Sequence, residues 1–265
     1  MHPILFQFGS FTIYAYGFFI AVGFVTALTL TSLKIRKSKI GISFGNLIDL
    51  FFYTVLSALI GSRVLFVWIN FDNYRQHPLQ IFKLWEGGLV FYGGVILAVG
   101  VSFWYMRWHR LPLWKVADLI SPFIALGLSF GRIGCFLAGC CYGKETSLPW
   151  AVIFKSPDSL APLNVPLHPT QLYDAANGLA IFFFLSWMEK RKMFDGQIFW
   201  LFLFLYSVTR FFIEILRGDP RGFLLGDLFS TSQAIGLLLA ILSLFMLFYM
   251  NKNCRRKRDG CSGDP

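Results

Sequence analysis

Three arginines interrupt stretches otherwise too apolar to carry charge. Arg63 lies in GSRVLFVW, Arg132 in FGRIGCF and Arg210 in YSVTRFFIEILRGDP. A guanidinium in hydrocarbon is costly unless something compensates it. Its planar fork of N–H donors suits a phosphate or carboxylate held at two oxygens. Tyr206, Arg210, Glu214 and Arg217 follow one another at spacings of 4, 4 and 3, so they share one helix face. Glu214 can pair with Arg210, with Arg217 or with both, which by itself would be a structural lock between helices. One acid does not neutralise Arg63, Arg132 and Arg210 together. The account therefore lacks an anion, and phosphate binding is the expected chemistry.

Other polar groups fall at the same depth. Tyr16 in YAYGFF and Tyr92 in VFYGG sit in the outer third of their spans, as do the three arginines. At about 1.5 Å per residue, Arg210 lies about 10 Å below Arg217 at the membrane edge. His168 opens HPTQLYDA in the same outer layer. It is a general-base candidate by its pKa range, although a lone histidine more often orients a loop, which is the preferred reading. Glycine pairs cluster nearby: Gly87-Gly88, Gly93-Gly94, and Gly131 with Gly134. They serve close helix approach or leave room for a lipid headgroup, and sequence alone does not separate the two. Cys135, Cys140 and Cys141 lie near the outer surface, but the C-x-x-C spacing of zinc and thioredoxin-like sites is absent. They are read as small hydrophobes or an incidental disulfide, and no metal or organic cofactor is expected.

The elements that must position these groups are membrane helices. The 265 residues are 56% hydrophobic and 14% charged, with 31 phenylalanines and a net charge of +10. The apolar stretches approach or exceed ~20 residues, enough to cross a bilayer. Seven spans are predicted at 11–33, 46–69, 87–105, 116–137, 172–188, 196–216 and 231–250. The first lacks a basic leader and a cleavage site, so it is not read as a signal peptide. Lys34, Arg36, Lys37 and Lys39, then Arg107, Arg110 and Lys115, then Lys190, Arg191 and Lys192, and finally the tail from Lys252 to Arg258 mark the cytoplasmic side. The sparser opposite side carries Arg75, Lys83, Lys144, Lys155, Arg217 and Arg221. The N-terminus is thus expected outside and the C-terminus in the cytoplasm. The positive charge reflects this bias and a tail suited to anionic lipid, not a nucleic-acid partner.

The fold class expected is an all-α membrane protein, one integral domain over 1–265 with a small extracytoplasmic head and an interfacial arm. The arm is 70–86, with Phe71, Leu79 and Phe82 among polar residues. The head is 138–171, where five prolines exclude a long helix. The loop 217–230 is rich in turn residues, and 251–265 forms a basic cytoplasmic tail. No internal repeat is visible, which counts against an inverted-repeat transporter.

Taken together, EGGLVFYGG, GRIGCFLAGCCYG, HPTQLYDA and YSVTRFFIEILRGDP, with YAYGF and FSTSQ as weaker members, resemble the prolipoprotein diacylglyceryl transferases in order and spacing across nearly the whole chain. The resemblance implies an enzyme of the bacterial inner membrane that transfers the diacylglyceryl group of phosphatidylglycerol to the lipobox cysteine of a preprolipoprotein signal peptide. A thioether forms and glycerol-1-phosphate leaves. It assigns Arg132 to phosphatidylglycerol binding and makes Arg210 the essential arginine of its span. Tyr206, Glu214 and Arg217 match the rest of that motif. Tyr16 matches a tyrosine of the first span, Gly143 closes the signature, and His168 matches the His-Pro motif. Arg63 is expected to join the phosphate site. Three positions depart from the common pattern: Tyr92 replaces a histidine proposed as base, Cys135 an asparagine and Cys140 a glutamate. Tyrosine, with a pKa of about 10, is a poor base, so Tyr92 either hydrogen-bonds the lipid or the proton leaves by another route. Rival readings are an anion transporter, which would need access from both faces, a membrane thiol oxidoreductase using Cys140 and Cys141, and a structural scaffold, which does not explain arginines at depth.

Overall fold

A computed structural model describes all residues except 1–2, 9–10, 38–40, 77, 84–86, 220–222, 225–228 and 262–265. An antiparallel pair, β1 (Ile4–Phe8) and β2 (Phe11–Tyr14), precedes the helices α1 (Ala15–Lys37), α2 (Phe44–Ile69), α3 (Phe71–Gln76), α4 (Phe91–Trp108) and α5 (Leu113–Ala138). After short antiparallel strands β3 (Val152–Ile153) and β4 (Pro166–Leu167) come α6 (Thr170–Glu189) and α7 (Gln197–Ile215). A second short pair, β5 (Phe223–Leu224) and β6 (Phe229–Ser230), leads into α8 (Thr231–Cys261). The fold is a helical membrane fold with small strand pairs. Among the described residues, five helices are long and apolar enough to cross a membrane: α1, α2, α5, α7 and, through Cys254, α8. The first helix starts at Ala15, not residue 11, because Phe11–Tyr14 pairs as a strand.

The chain forms two compact units. Within residues 32–116, α2 packs on α4 through glycine. A Cβ at Gly93 would lie 2.4 Å from the Gly61 carbonyl oxygen, and one at Gly94 2.9 Å from that of Ala58. Gly93-Gly94 therefore serves backbone approach, where dispersion and packing hold helices together without a hydrophobic drive. Thr54 and Ser102 hydrogen-bond across the pair at 2.7 Å. Between the two helices run α3 and a 3-10 turn at Pro78–Phe82, with Phe71, Leu79 and Phe82 exposed. The rest of the expected arm, 84–86 with Trp85, and His77 lie outside the described residues.

The other unit, Met1–Thr31 with Ala117–Pro265, holds α5, α6 and α7 around Ala125, Ile181, Leu185, Ile198 and Phe202. Gly178 lets α6 meet α5, since a Cβ there would strike Ser129 and the Ala125 carbonyl. Asn177 donates to Thr209 at 2.9 Å and ties α6 to α7. At one end, buried Asp118 of α5 accepts from the backbone N–H of Gly196 and Phe199, at 2.8 and 3.0 Å. It thereby satisfies orphan donors at the start of α7. The segment between α5 and α6 has its own small core of Phe154, Ala161 and Leu167, with Phe136, Tyr142, Val152 and Val165 packed against it.

Candidate active site

The site is built from the ends of α5, α6 and α7 and the loop that follows α5. The helical periods that put Arg132, Asp174, Arg210 and Glu214 on inner faces also bring their charges together. Asp174 Oδ2 takes Arg210 Nη1 at 2.7 Å and Arg132 Nε at 3.2 Å. Arg210 Nη2 donates to Glu214 Oε2, and Ser230 Oγ reaches Glu214 Oε1 at 3.3 Å. Arg217 Nε lies 4.0 Å from Glu214 Oε2 and forms a fork-to-fork pair with Asp219, both contacts at 2.9 Å. Asp174, Arg210, Glu214 and Arg217 are buried. Burial alone would lower the Arg217 pKa, but the Asp219 hydrogen bonds and charge more than offset it and hold the guanidinium above its ordinary value.

This corrects the expectation of a missing anion. Asp174 supplies the carboxylate that Arg132 and Arg210 lacked, and Asp219 pairs with Arg217. Asp174 stood in HPTQLYDA beside His168 but was not singled out. The signal available was its place one turn into a span, where an acid needs a cation.

Arg132 remains different from the others. Its Nε meets Asp174, and no hydrogen bond of its Nη atoms is present among the described residues. Its side chain is 18% exposed, against 10% for Arg210 and 3% for Arg217. Asp174 Oδ1, also buried, has no hydrogen-bond partner among the described residues.

The loop after α5 is tied to α6 and to Arg217. Gly139 (φ +78°) and Cys141 (φ +62°) turn the chain sharply. The Cys140 carbonyl accepts from Gln171 Nε2 at 2.8 Å, and the Cys141 carbonyl from Thr170 Oγ1 at 2.9 Å. Gly143 pairs with Arg217 as an isolated bridge and donates its N–H to the His168 carbonyl at 3.1 Å. A Cβ at Gly143 would sit 2.5 Å from His168 Cβ, so the position needs glycine. The His168 ring faces Tyr173, with Nδ1 3.4 Å from the phenol oxygen, and Trp150 donates to that same oxygen at 2.8 Å. Tyr16 approaches from α1, whose backbone abuts Gly134, and shares an electrostatic environment with Arg132 and the three outer cysteines. Tyr206 stacks on Phe202.

Arg63 and Tyr92 belong to the other unit. Arg63 is buried, and all five of its N–H groups point at carbonyls: Nε at Ile81, Nη1 at Gly87 and Gly88, Nη2 at Gln80 and Lys83. Its guanidinium also lies over the rings of Phe66 and Tyr74, at 5.7 and 5.4 Å. Carbonyl dipoles and aromatic faces carry the charge, as in other buried cations without a carboxylate. These carbonyls take every donor of Arg63, which leaves none for the phosphate expected there. Gly87 and Gly88 adopt left-handed φ values of +85° and +77°, which explains glycine there. Tyr92 sits in the first turn of α4, partly exposed, edge-on to Phe91.

A family model described as prolipoprotein diacylglyceryl transferase matches residues 3–249. A phosphatidylglycerol–prolipoprotein diacylglyceryl transferase of Clostridium tetani is 37% identical over 246 residues, covering 93% of this chain and 96% of that protein. A second, numbered 2, from Clostridium perfringens is 38% identical over 263 residues, with 98% and 99% coverage. A Vibrio cholerae protein of the same name is 34% identical over 253 residues, with 94% and 92% coverage.

Proposed function

This chain belongs to the prolipoprotein diacylglyceryl transferase family, and from that premise we propose that the cluster around Asp174 is where its transfer takes place. The protein is a transferase that moves a diacylglyceryl group from phosphatidylglycerol to a prolipoprotein in lipoprotein maturation. The acceptor atom in this reading is the lipobox cysteine sulfur of the signal peptide. It attacks the terminal glyceryl carbon, a thioether forms, and glycerol-1-phosphate leaves.

The observation that carries the assignment is the open fork of Arg132. It is positioned by one contact to Asp174 and partly exposed, so it has donors for the phosphodiester. Arg210, locked between Asp174 and Glu214, holds a second positive charge beside the leaving phosphate without having to reorganise. The partnerless Asp174 Oδ1 offers an acceptor to a hydroxyl, which the glycerol headgroup of the donor lipid provides. Tyr206, Glu214 and Arg217 act as positioning residues, Gly143 and His168 shape the loop, and Tyr16 is read as a hydrogen-bond donor to lipid. The spans α4 and α6 complete seven crossings of a bacterial inner membrane, with the N-terminus and the 138–171 head outside and the basic tail inside. That topology rests on the distribution of Lys and Arg.

The test is transfer by purified protein in detergent, given phosphatidylglycerol and a lipobox peptide. Arg132→Ala and Arg210→Lys are each expected to lower turnover at least ~100-fold, the second because a lysine keeps the charge but cannot bridge both acids. Wild-type turnover in either variant would remove that residue from the phosphate site.

A further inference from the structure

The loop after α5 gathers three sulfurs that the reading above leaves unused. Cys135 at the end of α5 and the vicinal pair Cys140 and Cys141 are free thiols, and their sulfurs all lie within 4.8 Å of one another. A tetrahedral ion with bonds of ~2.3 Å needs sulfurs about 3.8 Å apart, so sub-ångström side-chain adjustments suffice. Cys135 is buried, whereas Cys140 and Cys141 are part-exposed, which leaves one side of the triangle open. The backbone that carries the pair is pinned from outside by fully buried Thr170 and Gln171. Such outer support fixes ligands in direction.

The surroundings give this cluster a task. A thiol acceptor must lose its proton before it attacks carbon. The described groups around Asp174 are poorly suited to take it. Asp174 and Glu214 are each ion-paired to arginine, and the His168 ring is turned to Tyr173. Cys141, by contrast, lies two residues before Gly143, which pairs with Arg217 as a bridge, and Arg132 lies one helical turn before Cys135.

We propose that Cys135, Cys140 and Cys141 form a three-thiolate site for a thiophilic divalent cation of the zinc class, whose open fourth position takes the acceptor thiol of the transfer reaction. The proposal rests on the reading that the acceptor is a thiol. Coordination releases the S–H proton to water, since a metal-bound thiol is deprotonated outright. The sulfur lone pair then attacks the glyceryl carbon. The carbon–oxygen bond breaks with its electron pair going to the phosphate oxygen, and the glycerol phosphate leaves as an anion. The ion stays on the three cysteines, with no change of oxidation state. A divalent ion on three thiolates is net negative, and negative again by one more with the acceptor bound. Arg132 and Arg217 offset that charge.

The experiment uses the full chain in detergent, reduced with a phosphine and stripped with a chelator, then titrated with Co2+ or Cd2+. One equivalent is expected to bind with sulfur-to-metal charge-transfer absorption of three thiolates. A cysteine lipobox peptide should raise that intensity by about a third, the step from three ligands to four, and a serine peptide should not. Cys140→Ser should lose about a third of the signal, while Cys254→Ser, far from the cluster in sequence, should change nothing. Stripped protein should regain transfer on adding Zn2+. Failure of the wild-type protein to take up the probe ion, uptake with no peptide-dependent step, or full turnover after stripping each overturns the proposal. Absence of transfer in every preparation would instead strike the transferase reading. The two failures are distinguishable because uptake and the fourth thiolate are read without turnover.

Discussion

Replacing Asp174 with asparagine should be the most damaging conservative change in the chain. The side chain keeps its shape and one acceptor oxygen, but the negative charge shared by Arg132 and Arg210 disappears. Each contact, at 3.2 and 2.7 Å, joins unit charges in a buried setting. At an effective dielectric near 20, a pair at about 4 Å interacts by ~4 kcal/mol. Two such attractions are lost, and the repulsion between the two guanidiniums is exposed. Against this stands relief of the desolvation of the carboxylate, which is several kcal/mol. The net expectation is a loss of roughly 3–5 kcal/mol, the scale for removing one partner of a buried pair. Reversible unfolding in mixed detergent micelles would measure it. Turnover should fall ~100-fold as well, because repulsion moves the Arg132 fork away from its working position. A variant within about 1 kcal/mol of wild type and with full turnover would show that Asp174 neither neutralises nor positions the arginines.

Other outcomes follow from the same contacts. Arg63→Met should leave the carbonyls of Gln80, Ile81, Lys83, Gly87 and Gly88 without their common donor; limited proteolysis should then cut at the turn of Pro78–Phe82, and an uncut turn would refute the reading that Arg63 holds it. Gly93→Ala places a methyl 2.4 Å from the Gly61 carbonyl oxygen, a backbone atom that cannot swing aside. The α2–α4 pair should lose about 1–3 kcal/mol, read as a lower unfolding midpoint. Lys192 sits outside the spans, between α6 and α7. Burial would lower its pKa, but its hydrogen bond to Asp195 and the charge of Asp118 raise it above the ordinary value. The stabilisation is therefore fully present below the usual value of about 10.4 and fades only as pH rises through the higher folded value. Lys192→Met should be less stable than wild type throughout neutral pH, with the gap closing only in strong alkali; a gap that closes near neutrality would contradict the assignment.

The apolar lengths, the basic flanks and the four-residue rhythm of Tyr206, Arg210 and Glu214 were legible in the chain because hydrocarbon imposes rules that hold residue by residue. A span must be long and apolar, and any charge within it must answer to something. The motifs also carried the family. Local spacing does not say which side chain on another helix supplies that answer. Asp174 lies 36 residues from Arg210 and 42 from Arg132, yet one of its oxygens serves both. Arg63 looked like its two counterparts in sequence, but its donors go to carbonyls between 80 and 88, a pairing created by the turn at Pro78–Phe82 and the left-handed glycines after it. The cysteines show the same division. Their spacing along the chain matches no common ligand pattern, and only the reversal at Gly139 and Cys141, held by buried side chains of α6, folds Cys140 and Cys141 back toward Cys135. Residue type and periodicity determine which groups must be compensated. Tertiary packing decides by what, because compensation depends on distances between segments that sequence separation does not encode.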